Sequence, residues 1–161
     1  MAKTLSSASE EYVKLLKEVV AETRLDKCVD FQAFNLIKAK GRVVKVTKAN
    51  EVAELLTNRE DLVVVGIYEK AFDLVDEQTR RLWLESALSQ VSYDYDKGKI
   101  TIGDEPEITL TLGFYNKYHN KAVELAELEL LTLQQIQDQE KEEKERRKAE
   151  KAAQRKTRRK F

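Results

Sequence analysis

Few residues in this chain combine the type and the spacing that chemistry needs. His119 is the single histidine and Cys28 the single cysteine. A zinc site takes three or more ligands, typically imidazole and thiolate, and His119, in KYHNKAVE, reads as a solvent-facing helical position. One cysteine also excludes an intramolecular disulfide. Asp94, Asp96, Asp104 and Glu105 are turn carboxylates without the spacing of a calcium-binding loop. Ser86 and Ser89 have no histidine near them in sequence and no Gly-x-Ser-x-Gly elbow, and Glu85 has no flanking imidazole. The glycines form no loop that would cradle a phosphate. Catalysis has little support here, and neither a metal nor a cofactor is expected.

The charge is unevenly spread. The chain carries 29 basic and 29 acidic residues. Arg146, Arg147, Lys148, Lys151, Arg155, Lys156, Arg158, Arg159 and Lys160 stand against Glu150 alone, which makes the end of the chain +8 and the remainder −8. Such a run neutralises phosphates and releases counterions, the basis of salt-sensitive DNA or RNA binding without sequence preference. It also suits a solvated tail, or one that touches an acidic surface such as its own body. No aromatic residues interleave to stack on bases, and no apolar face is present to enter a membrane.

The elements that would position these residues are legible in part. Leu62 to Ile67 is a run rich in β-branched residues, suited to a strand buried on both faces. Asp76 and Glu77 stand where acids favour a helix start. Leu84, Ala87, Leu88 and Val91 then recur at helical spacing beside Trp83. Tyr93 to Asp96 end that helix and lead into a Lys97-Gly98 turn. Ser7 with Glu10 has capping-box spacing ahead of Tyr12, Leu15, Leu16 and Val19. FQAFNLIKA reads as a strand with Phe34 and Leu36 inward and Ala33 a further inward candidate, and Gly41 favours a hairpin into the alternating strand Arg42 to Lys48. Asn50 can cap a short helix carrying Val52, Leu55 and Leu56. Lys99 to Ile102 and Glu107 to Leu112 read as a hairpin or flap. From Phe114 onward the composition is helix-forming. Phe114, Tyr118, Ala122, Leu125, Leu128, Leu131, Leu133 and Ile136 cover a broad face that then stops, so a docked helix should project into water beyond Ile136 and fray over its last ten residues.

The order of strand, acidic-aromatic link and DEQTRRLWLESALSQV resembles a metallopeptidase family of bacteriophages and related mobile elements, itself zincin-like. KGRVVKVTKANEVAELL is similar to that family's strand-then-helix lead-in, and the resemblance covers roughly Asn35 to Leu125. In that family the helix ends in a zinc-binding H-E-L-x-H. In register, this chain has Ser86, Ala87, Leu88, Ser89 and Gln90, followed by Val91. Zinc needs two imidazoles one turn apart and a glutamate as general base, and Ser86, Ala87 and Gln90 can do neither job. The resemblance therefore implies a peptidase-like scaffold with its chemistry removed.

The expected fold is α+β. A small mixed sheet from segments near 34–39, 42–48, 61–67 and 99–112 is covered by helices 9–22, 50–57, 76–91 and 114–136. Residues 1–136 form a zincin-like domain and 137–161 a charged, basic helical extension. The start, MAKTLSSASEEYVKLL, lacks a signal-peptide core, and no run is long enough to span a bilayer. The expectation is an intracellular, non-enzymatic protein, in the host cytoplasm if phage-encoded. It would bind an unidentified protein partner or, through the tail, DNA or RNA.

Overall fold

The computed structural model describes residues 4–39, 41–103 and 112–158, with the side chains of 112 and 156–158 outside that description. In chain order the elements are β1 (Leu5–Ser7), α1 (Glu10–Thr23), β2 (Asp30–Leu36), β3 (Val44–Lys48), α2 (Glu51–Thr57) and β4 (Leu62–Ile67). They are followed by α3 (Glu69–Phe72), α4 (Glu77–Leu88), β5 (Val91–Asp94), β6 (Lys99–Ile102), α5 (Leu112–Tyr118) and α6 (Asn120–Arg158). The chain is α+β, with a small mixed sheet and a long C-terminal helix.

The apolar run becomes β4, an inner strand of a four-stranded sheet ordered β1-β2-β4-β3. β2 runs parallel to β4, while β3 and β1 are antiparallel to their neighbours. The expected hairpin at Gly41 does not form, because β4 lies between β2 and β3. A strand without polar residues gains most from partners on both edges, and the chain delivers one to each side. β2 also begins earlier than expected, at Asp30, and alternation divides its apolar residues between the two faces. Ala33 aligns with Val65 and Val46 in the core, whereas Phe34 aligns with Gly66 on the opposite, half-open face. A Cβ at Gly66 would come within 2.7 Å of Leu36, so the glycine leaves room for Leu36 to lie against the strand.

Helices cover the other face. Val63, Val65 and Ile67 are buried there with Leu16 and Val19 of α1 and Leu84 and Ala87 of α4. Each such side chain contributes roughly 1.5–3 kcal/mol by leaving water. Tyr12 meets Phe72 edge-on at 5.1 Å between centroids, and Phe72 in turn lies 6.1 Å from Trp83. At the rim, Arg81 of α4 reaches Glu18 and Glu22 of α1.

Other expectations shift at element ends. Ser7 does not cap α1; it pairs with Phe34 in β1, a strand too short for alternation to reveal, and Ser9 takes the cap position. α4 stops at Leu88, and Val91 opens a hairpin with β6. Leu88 and Val91 are both buried, and their spacing suits a helix continuing or a strand turning inward equally well. The Lys97-Gly98 turn is present: Asp94 Oδ1 accepts from the backbone N–H groups of Asp96 and Lys97, and Gly98 has φ 60°. Asp104, Glu105 and most of the segment Glu107 to Leu112 lie outside the described residues, so the expected strand there has no structural account.

The predicted 114–136 helix is divided at His119, whose φ of 49° is left-handed. α6 then continues helically to Arg158, through most of the stretch expected to fray. Its buried residues among those described are Ala122, Leu125, Ala126, Glu129, Thr132, Leu133 and Ile136, and the expected Leu128 and Leu131 are exposed.

Asn50 caps α2 as expected, its Oδ1 accepting the Ala53 N–H at 2.8 Å. Yet α2 buries no residue, and Leu55 and Leu56 are about four-fifths exposed (80 % and 83 %). A helix without packing depends on its cap. Asn50→Ala should therefore cost about 1 kcal/mol locally, read as roughly fivefold faster amide exchange across 51–57 with little change in global stability. Unchanged exchange there would show that the cap does not hold α2.

Candidate functional site

The two features singled out by sequence lie far apart in the chain: the α4 segment in the core and the end of α6 in water. α4 begins at Asp76, whose side chain accepts from the Thr79 N–H at 2.9 Å; the Thr79 hydroxyl and then this N–H lower the Asp76 pKa. Ser86, Ala87 and Leu88 all face the interior. Ser86 is 3 % exposed and Gln90, just past the helix, is 7 % exposed. The Gln90 backbone carbonyl accepts the Gly103 N–H at 2.9 Å, fastening the β5–β6 hairpin, while its side-chain Nε2 has no hydrogen-bond partner.

Glu85 ties α4 to α5, accepting from Lys117 Nζ and, at 2.6 Å, from the Tyr118 hydroxyl. Burial and this bond raise the Tyr118 pKa, and the same carboxylate raises that of Lys117. Ser89 Oγ donates to the Ser86 carbonyl. These groups are engaged in holding helices together, not arranged around a cavity. Cys28 is half-buried with Sγ 3.3 Å from the Tyr95 hydroxyl, and His119 is exposed at the α5–α6 turn.

Ser86, Ala87 and Gln90 do not fit zinc. A hydroxyl, a methyl and an amide supply neither imidazole nor carboxylate, and all three positions are buried. Among the described residues no group of three or more His, Cys, Asp and Glu could hold a metal ion. No helix there is long and apolar enough to cross a membrane.

Sequence reasoning missed a buried charge. Glu129 of α6 is 4 % exposed, and its Oε1 accepts the Val43 backbone N–H at 2.7 Å. Burial raises its pKa, opposed by the Val43 N–H and by the positive charge of Arg42. Arg42 is itself 8 % exposed, and its Nε has no partner. This contact fixes α6 to the entrance of β3. Farther along, Lys70 of α3 donates to Glu140 at 2.7 Å.

Beyond Glu140 the described side chains of α6 are all exposed. Their ion pairs are local: Lys141 with Asp138 at 3.9 Å, Arg146 with Glu150 at 3.7 Å, and Arg147 with Glu143. Lys148, Lys151 and Arg155 make no ion pair among the described residues. Lys156 and Arg158 have helical backbones without described side chains, and Arg159 and Lys160 lie outside the described residues. No protein-family model matches this chain, and no match is found among curated proteins or solved structures.

Proposed function

We propose that this chain is a non-enzymatic, phage-type protein acting inside the cell, a catalytically dead peptidase-like scaffold that works by binding another macromolecule. One observation carries the reading. At the positions where the phage peptidases would bear their zinc ligands, Ser86 at the end of α4 and Gln90 just past it are buried, so they serve packing. The unit around them agrees with the resemblance. A buried strand, β4, leads through an acidic, aromatic turn to an Asp-capped helix, and α4 packs against β3, the antiparallel edge strand of the sheet. A substrate cleft at these positions would need exposed chemistry, and Ser86, Ala87 and Gln90 are buried.

Elemental analysis of the natively purified full-length protein tests this, combined with a peptide-hydrolysis assay supplied with excess zinc. The expected result is substoichiometric zinc and no cleavage above background. One equivalent of zinc, or hydrolysis abolished by a chelator, would overturn the proposal. The triple variant Ser86→His, Ala87→Glu, Gln90→His asks the complementary question. Because these positions are buried, it should lose stability rather than simply acquire metal.

A further inference from the structure

The cations of the projecting helix are not scattered around its axis. At about 100° per residue, Lys144, Lys148, Lys151 and Arg155 fall within an arc of roughly 60°, with Lys141 and Arg147 along its borders. The far side carries Glu142, Ala149 and Ala153, and Arg146 stands there paired to Glu150. The helix therefore presents a straight basic rail along one face, which the helical backbone carries on toward Arg158.

We infer that this rail binds the phosphate backbone of a nucleic-acid duplex. The six cations from Lys141 to Arg155 span about 21 Å of helix axis, one per roughly 4 Å. Phosphates along one strand of a duplex recur at about 3.4 Å of axis. A rigid rod that lines up cations along one face can hold several phosphates at once without ordering a flexible chain first. Other anionic partners fit less well. A bilayer would require an apolar face opposite or beside the cations, and the far side offers only small and charged residues. Single strands are usually gripped by stacking, and residues 137–158 contain no aromatic side chain. Lys141 and Arg147 at the rail's borders pair with Asp138 and Glu143 of the same helix, while Lys144, Lys148, Lys151 and Arg155 form no ion pair among the described residues.

The inference names a partner for the binding function proposed above and rests on that reading, yet the two can fail separately. Zinc-dependent hydrolysis would remove the first without touching duplex retention. The test is equilibrium binding of the full-length chain to a labelled 20-base-pair duplex across a salt series. Six phosphate contacts predict a slope of log K against log salt near −5. Substituting Lys144, Lys148, Lys151 and Arg155 by Gln should flatten the slope by about 3 to 4.

A charge-conserving variant separates a rail from a mere positive tail. Lys148→Ala with Ala149→Lys, and Lys151→Ala with Ala153→Lys, keeps composition and net charge but moves two cations to the far side. It should bind at least tenfold more weakly while circular dichroism shows unchanged helicity. Absence of duplex binding at 50 mM salt would overturn the inference, as would equal binding by the rearranged variant. Tighter binding to phosphatidylserine vesicles or to polyglutamate than to duplex would assign the rail to a membrane or an acidic protein instead.

Discussion

Trp83→Ala should lower the stability of the fold by about 3–5 kcal/mol, a large share of the 5–15 kcal/mol typical of a domain. Trp83 is buried at the junction where α4, the Phe72 ring of α3 and the start of α6 converge. Its indole Nε1 donates to the Leu125 carbonyl at 3.5 Å, a long bond that contributes little beside the packing. The cost is therefore set by the cavity left behind. At roughly 2–4 °C per kcal/mol for a chain of this size, scanning calorimetry should show the midpoint falling by ~10 °C. Trp83→Phe, which fills most of the volume, should lose far less. A midpoint within 2 °C of wild type for the alanine variant would mean that α4 and α6 do not share a core here.

Glu129→Ala should cost about 2–4 kcal/mol, because it leaves the Val43 N–H without an acceptor in a buried site and opens a void. Glu129→Gln keeps an acceptor and isolates the charge. Burial holds the folded-state pKa of Glu129 above its unfolded value, so folding favours the protonated form. The stability it contributes is fully present below the ordinary glutamate pKa and is lost as pH rises through the folded value. Wild type should thus gain on Glu129→Gln as the pH falls from neutral through the mildly acidic range. Urea unfolding of both proteins from pH 7 to pH 4 reads this directly. A difference that stays constant over that range would show that Glu129 does not change its protonation on folding.

What the sequence makes legible follows from how strongly each residue is constrained. β4 reads correctly as an inner strand, because its apolar run suits neighbours on both edges, but the expected cover on both faces is found on one: Val63, Val65 and Ile67 are in the core and Val64 is half-buried. Asp76 and Asn50 read correctly because caps depend on local geometry alone. The pairing of β2 with β4 was not legible, since a glycine near two strands favours a hairpin locally and only the global order opposes it. Val91 misled because one burial pattern served two backbone conformations. Glu129 was visible in principle: it occupies the i+3, i+4 row of Ala122, Leu125, Ala126 and Leu133, the one charged member of a buried set. Among so many exposed glutamates nearby, its residue type concealed its position. The basic rail was likewise present in the spacing from Lys144 to Arg155, but counting charge in bulk hides its azimuth.

The length of α6 has an electrostatic consequence. Ile136 is the last buried residue of that helix among those described, and Arg155 lies about 28 Å farther along the axis. At physiological ionic strength a charge is screened over about 8 Å. Residues 1–136, with 18 basic and 23 acidic residues, carry −5, and that charge is almost unfelt at the tip. The projecting helix acts as a dielectric stand-off, letting a protein of zero net charge display a polycation at one end. Lowering the salt would lengthen the screening distance and let the acidic body pull against whatever the tip has bound.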